Sequence, residues 1–289
     1  MASRARKEAL LQEALWRRCA ADEEYFLDNF WKIRVPGRGT VQLDMRPAQR
    51  EAIKHWADHR YSLTLKARQI GWSTLVGAHQ FWLVYFHDDQ EVLDISRGER
   101  ESIDLLKKSK IGFANLPLWM LERGPKLTSD HIQQMPFSNG SSIKSLPSAS
   151  DPARGSSAAL IVVDEWAFLN NAEEAWASIE PVADIGGRII GLSTANGSGN
   201  FFHQTWLDAQ VGENQFRTMF FPWNAVDTRD DAWYQNKVRS MMPWQLAQEY
   251  PSSPEEAFIK SGRPVFDYDV LMRAEASAPR HGYLHVVGA

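Results

Sequence analysis

The run Lys66-Ala67-Arg68-Gln69-Ile70-Gly71-Trp72-Ser73-Thr74 joins a strand-like segment at 61–65 to a helix-like segment at 74–86. Strand, turn and helix in that order frame a phosphate-binding loop, G-x-x-x-x-G-K-[ST], whose backbone amides, lysine and hydroxyl hold phosphates and Mg²⁺. Two positions depart from the pattern. Lys66 stands at the first glycine and Trp72 at the lysine, while Gly71 and the Ser73 hydroxyl are kept. A departing γ-phosphoryl group spreads charge over its oxygens and needs cations besides Mg²⁺. Lys66 and Arg68 are the nearest suppliers, and a guanidinium can bridge two oxygens. The other reading of Trp72 is a site without turnover.

Two further strand ends carry polar groups. Ala159-Leu160-Ile161-Val162-Val163-Asp164-Glu165 is an apolar strand closed by two acids. In nucleotide hydrolases the first such carboxylate meets Mg²⁺ and the second orients and deprotonates the attacking water. Asp164 and Glu165 are the candidates for those roles. Taken alone, two acids after a buried strand also mark a chain emerging into water, and it is the loop at Lys66 that gives the pair weight. Gly191-Leu192-Ser193-Thr194-Ala195-Asn196-Gly197 likewise ends an apolar run, and ligands of open α/β sheets collect at strand C-termini. Ser193, Thr194 and Asn196 are candidates to sense the γ-phosphate; a turn capping the helix near Asn200 is the equal alternative.

The elements that must position these groups follow from periodicity. The pattern predicts a helix over 5–30, a loop at 35–39, and a helix from Pro47 through Trp56, with proline suited to its first turn. Strands are expected at 61–65, 91–95, 160–163, 188–192 and 216–221, with helices at 98–115, 172–179 and 201–210. That alternation predicts an α/β fold, a mostly parallel twisted sheet flanked by helices. Weaker extended segments at 131–135 and 142–146 suit a hairpin, and the Ser/Pro/Gly-rich stretch at 145–157 reads as a loop. Residues 231–258 read as helices broken at Pro243, Pro251 and Pro254.

Composition narrows the function classes. The chain has 289 residues, 44% hydrophobic and 24% charged, ordinary for a soluble globular protein. Its single cysteine, Cys19, excludes an internal disulfide and a cysteine-based zinc cluster and fits a reducing compartment. The eight histidines lack metal-ligand spacing. No apolar run approaches a membrane span or a signal-peptide core, so the chain reads as cytosolic. A net charge of −4 argues against a coat of positive potential and leaves room for weak, local DNA contacts. Lys107-Lys108-Ser109-Lys110 is a candidate for such contact, although a solvated face is the commoner meaning of a charge run.

In its ordered motifs the chain resembles the ATPase domain of the large terminase subunit of tailed bacteriophages, over about residues 43–262. Arg46-Pro47-Ala48-Gln49 resembles the adenine-recognition motif, and Lys66 to Thr74 the family's deviant P-loop. Val162-Val163-Asp164-Glu165 resembles its acidic strand, and Ser193 to Asn196 its coupling motif. Glu249-Tyr250-Pro251 with Glu255-Glu256-Ala257-Phe258 resembles the end of its ATPase region.

The resemblance implies a P-loop NTPase of the additional-strand catalytic-glutamate type, using ATP and Mg²⁺ to translocate double-stranded DNA into a procapsid. It implies Gln49 on adenine, the loop from Lys66 to Thr74 on phosphates, Ser73 and Asp164 on Mg²⁺, and Glu165 and Arg68 in catalysis. Arg154 would be a finger reaching a neighbouring subunit's ATP, a solvated loop arginine or a DNA contact being its other readings. The implied partners are the portal protein, a small terminase subunit and further copies in a ring, with no membrane, in the cytoplasm of an infected bacterium and transiently on the procapsid. The expected organisation is an N-terminal helical segment to residue 45, a core over 46–225, a helical lid over 226–262, and the start of a linker to a nuclease domain. Asp267 and Asp269 in that last stretch read as linker. The rivals are a helicase-like ATPase and an ATP-binding assembly module without turnover.

Overall fold

The structure, a computed structural model, describes residues 2–129, 131–148, 153 and 157–260. Asp22 divides the N-terminal amphipathic stretch. Its backbone is extended and its carboxylate accepts the Tyr25 N–H at 2.9 Å, the geometry of an N-cap. The single helix expected over 5–30 is therefore two, α1 (Ala2–Ala21) and α2 (Glu23–Phe30). The expected loop at 35–39 is the turn of an antiparallel hairpin, β1 (Lys32–Val35) and β2 (Gly39–Gln42). Its turn needs the left-handed backbone of Gly37 and Gly39, φ 74° and 72°, which glycine adopts at little cost. Residues 2–45 thus comprise two helices and a hairpin. α3 (Pro47–Asp58) begins on its proline.

The rest of the chain alternates strand and helix. In order come β3 (Tyr61–Lys66), α4 (Trp72–Phe86), β4 (Glu91–Ser96), α5 (Glu99–Phe113), α6 (Leu118–Arg123), β5 (Gln134–Pro136), β6 (Ser142–Pro147) and β7 (Leu160–Asp164). A 3₁₀ turn (Trp166–Phe168), α7 (Ala172–Asp184), β8 (Arg188–Ser193), α8 (Phe201–Val211) and β9 (Arg217–Phe221) follow. α9 (Asp231–Ser240), α10 (Pro243–Glu249) and α11 (Pro254–Lys260) close the described chain, the last two each starting on proline. α7 runs through Pro181 to Asp184, past the expected end at 179.

Seven strands form one sheet in the order β5-β6-β4-β7-β8-β3-β9. Every neighbour pair is parallel except β5 with β6, the expected hairpin. Alternating side chains feed two cores. Leu160 and Val162 of β7 face α3, α4 and α5, whereas Ile161 and Val163 face α7 and α8. Burial on both faces explains why these strands read as continuous apolar runs. Because the strands are parallel, Lys66, Ser96, Asp164 and Ser193, the last residues of β3, β4, β7 and β8, converge on one edge of the sheet. β8 lies between β3, which enters the loop at Lys66, and β7, which ends in the acids: it is the additional strand. Cys19 lies in the core, where burial pushes its thiol up to about 12, which disfavours the reactive thiolate.

Candidate active site

The loop after β3 is held by its carbonyls and by its first amides. Ala67 N–H donates to the Phe221 carbonyl at 2.9 Å and Arg68 N–H to the Glu249 carbonyl at 2.8 Å. Arg46 Nη1 donates to the Ile70 carbonyl at 3.2 Å, and Arg229 Nη2 to the carbonyls of Arg68 and Gln69 at 2.8 and 3.3 Å. Gln69 and Gly71 are left-handed, φ 58° and 88°. A side chain at Gly71 would also crowd Gln49 Nε2 and Arg46 Nη1, at 3.2 and 3.4 Å from an added Cβ. The amides of Trp72, Ser73 and Thr74, the first turn of α4, have no acceptor among the described residues. Carbonyls tied down by arginines and a bare helix N-terminus are an arrangement that suits an anion.

Across the edge of the sheet, Ser73 Oγ donates to Asp164 Oδ2 at 3.2 Å. A hydroxyl and a carboxylate so placed form the oxygen pair that hard divalent cations take. Glu165 follows in a left-handed conformation, φ 53°. Its N–H donates to Asp164 Oδ1 at 2.9 Å, and its carbonyl accepts the Phe168 N–H at 2.8 Å. Three non-glycine residues have positive φ among the described residues, Gln69, Asp89 and Glu165, and two of them lie in this site, where backbone strain concentrates when function needs it. Burial, reinforced by the Asp164 charge, raises the Glu165 carboxyl above the usual range, while Lys66 and Arg97 pull it back. A carboxylate tuned upward suits a general base.

The other expected site residues fall into distinct places. Lys66 ends β3 half-buried, and its side chain has no ion-pair or hydrogen-bond partner among the described residues. Arg68 instead grips both Glu249 carboxylate oxygens with Nη1, at 2.8 and 2.9 Å, tying the loop to α10. Trp72 leaves the loop face altogether. It is 2% exposed and packs 4.2 Å centroid to centroid from Phe221 of β9. Ala67 and Ile70 are buried beneath the loop, and Thr74 is half-buried on α4. Gln49 is buried, and its Oε1 accepts the Arg46 N–H at 3.1 Å.

Ser193 Oγ accepts the Ala167 N–H at 3.1 Å and Asn196 Nδ2 donates to the Ala167 carbonyl at 3.0 Å. Both therefore grip the turn that carries Glu165, while Thr194 is half-buried beside them. Gly191 is glycine because Trp166 lies on β8: an added Cβ would stand 2.4 Å from its ring. Arg154, Asp267 and Asp269 lie outside the described residues. The lysine run is split around α5, with Ser109 buried, Lys107 paired to Asp104 and Lys110 bonded to the His131 carbonyl.

Arg229 and Arg97 escaped the sequence reading. Arg229 reaches the loop carbonyls only through the fold, and Arg97, paired locally with Glu101 at 3.6 Å, is brought to act on Glu165 only by the fold, so no local pattern marks either as a site residue. A cavity of about 560 Å³ between α2, α3 and α4 reaches Leu160 and Arg188, the first residues of β7 and β8, and so lies at the opposite end of the sheet from this chemistry.

The fold is a mostly parallel sheet with an additional strand, β8, between the strand that enters the loop at Lys66 and the acidic strand. Among solved structures it is the architecture of phage large terminase ATPase domains. The large terminase ATPase domain of Thermus phage P74-26 matches with a TM-score of 0.61 at 14% identity, over 75% of this chain and 94% of that one. The HK97 bacteriophage large terminase matches with a TM-score of 0.54 at 16% identity, over 84% of this chain and 50% of its own. A large terminase from a thermophilic bacteriophage, solved in complex with ATP-gamma-S, matches with a TM-score of 0.51 at 11% identity, over 69% of this chain and 50% of that one. No family model matches the sequence.

Proposed function

We propose that this chain is the ATP-hydrolysing motor domain of a DNA-packaging terminase, cleaving the β–γ bond of ATP to drive double-stranded DNA into a procapsid. The observation that carries the reading is the Ser73–Asp164 contact at 3.2 Å, made across an added strand, with Glu165 next in line. The residues fit Mg²⁺ and a nucleotide: an oxygen pair for the metal, and helix amides without acceptors for the phosphates. Bound Mg²⁺ would draw charge from the phosphate oxygens, held by Ser73 and Asp164.

The remaining steps belong to side chains of this protein. Lys66 supplies the cation that Trp72 does not. The amides of Trp72, Ser73 and Thr74 bind phosphate oxygens. Glu165 orients a water and accepts its proton as that water attacks the γ-phosphorus. Gln49, seated beside Gly71, pairs with the adenine base. Ser193 and Asn196, gripping Ala167, link the Glu165 turn to β8 and pass the loss of the γ-phosphate onward. The motor acts as a homo-oligomeric ring docked on the portal, with a small terminase subunit, in the cytoplasm of the infected bacterium. Arg154 serves the neighbouring subunit's ATP.

The test is ATP hydrolysis by the wild type and by Glu165→Ala, with DNA and portal-bearing procapsids present. The wild type turns over, DNA stimulates it, and Glu165→Ala loses about 10²- to 10⁴-fold while still binding nucleotide. Absence of wild-type turnover in the assembled system overturns the motor reading. Arg154→Ala keeps nucleotide binding and loses turnover only in the assembly.

A further inference from the structure

Asp94 of β4 and Gln80 of α4 lie behind the metal-binding pair and have no part in that chemistry. Both are fully buried. Gln80 Nε2 donates to Asp94 Oδ2 at 2.9 Å and to Ser109 Oγ at 3.0 Å, and Ser109 Oγ donates to the Gly77 carbonyl at 2.7 Å. Two acceptors are left over: Asp94 Oδ1 and Gln80 Oε1 are buried without a hydrogen-bond partner. Buried acceptors without donors are costly, and an ionised carboxylate among them more so. One proton satisfies both.

We propose that Asp94 is a positioning residue that works as a neutral carboxylic acid, closing a two-point ring with the Gln80 amide and thereby holding α4, and Ser73 with it, against the acidic strand. In that ring the acid O–H on Oδ1 donates to Gln80 Oε1 while Gln80 Nε2 donates back to Oδ2. Ser73, Gly77 and Gln80 share one face of α4, and about 10 Å of helix separates Ser73 from Gln80. On the sheet, Asp94 pairs in register with Val162, and Asp164 lies two residues further along β7. The helix is thus pinned to the sheet by two rungs, Ser73–Asp164 at the edge and Gln80–Asp94 below it. Tilting the lower rung moves the upper one.

The groups facing Asp94 are few. α4 presents Gln80, α5 presents Ser109 behind it, β6 presents Ser145 opposite in register, and β7 presents Asp164, whose charge acts on it. Burial, with Asp164 adding to it, holds the Asp94 carboxyl well above the usual range, against the pull of the Gln80 bond. The native state then keeps a proton that the unfolded chain has lost. The resulting stability is fully present below the unfolded pKa of about 3.9 and is lost as pH rises through the folded value.

That Ser73 serves a metal rests on the proposed motor reading; the acid–amide ring does not. The whole chain is unfolded with denaturant between about pH 5 and about pH 9 as wild type, Asp94→Asn and Asp94→Ala. Asparagine can close the same ring with an amide donor. Across that range the wild type, which begins to lose stability above about pH 3.9, falls progressively behind Asp94→Asn. That loss approaches tenfold in the folding constant per pH unit until the acid ionises. Asp94→Ala is the less stable at every pH. A wild-type-to-asparagine difference that is flat with pH, or an asparagine variant that fails to fold or is no better than alanine, overturns the ring.

The second readout is the Mg²⁺ needed for half-maximal ADP binding. It rises on the order of tenfold in Asp94→Ala and is unchanged in Asp94→Asn; no rise in the alanine variant overturns the positioning role. Neither readout requires turnover, so a chain that fails to hydrolyse ATP would sink the motor reading and leave this one standing.

Discussion

Glu165 is held in an unfavourable left-handed backbone by two hydrogen bonds on its own peptide groups, and its carboxylate is raised by burial and by Asp164. A base must be ionised to accept a proton, so its acid limb of activity falls at a higher pH than an ordinary glutamate would give. Lys66 opposes that shift. Replacing it by methionine therefore lowers kcat through loss of the proposed phosphate contact and moves the acid limb of the pH–rate profile further upward. A limb that stays in place would show that Lys66 does not face the base. The same geometry ranks the two loop cations. Arg68 is engaged on Glu249 while Lys66 has no partner among the described residues, so Lys66→Ala reduces kcat more than Arg68→Ala, in single-turnover measurements with saturating nucleotide. The reverse order would assign the phosphate to Arg68.

At the scale of elements, the packing of Trp72 accounts for a non-lysine residue at that position of the proposed phosphate loop. The residue that would point at phosphate is turned inward, and its ring joins the start of α4 to Phe221 at the end of β9. Trp72→Ala costs about 3–5 kcal/mol by denaturant unfolding, the range for deleting a buried aromatic side chain. Trp72→Lys, which restores the usual motif on paper, is no more stable than the alanine variant and no more active than the wild type, because an ammonium beside Phe221 is buried without a partner.

The strands that carry the site were legible because a parallel sheet buried on both faces writes continuous apolar runs, as in Leu160 to Val163. Ser73, Asp164 and Glu165 were legible because each lies within a local pattern. The β1–β2 hairpin was not: its first strand carries exposed Lys32 and Arg34, its turn an exposed Arg38, and Pro36-Gly37 reads as a break. Nor was the Arg229 grip on the Arg68 carbonyl, which spans 161 residues, or the inward turn of Trp72, which only the packing against β9 decides.

For the molecule as a whole, on the proposed motor reading, the net charge of −4 limits how it would hold DNA. Each phosphate neutralised on a duplex contributes a slope of about −0.9 to the dependence of log affinity on log salt. A motor that slides needs contacts that break easily, and a chain of this charge with its lysines dispersed around α5 offers few. The proposed basal ATP hydrolysis would depend on groups clustered at one sheet edge, several of them buried or half-buried, where screening is weak. Raising salt therefore strips away the DNA-stimulated increment of ATPase activity while the basal rate changes little. The half-saturating DNA concentration, measured in the assembled ring over a salt series, gives a shallow slope per subunit, equivalent to about one to three phosphates. A slope several times steeper would mean that each subunit clamps the duplex tightly, and translocation would then need a release step beyond the loss of the γ-phosphate.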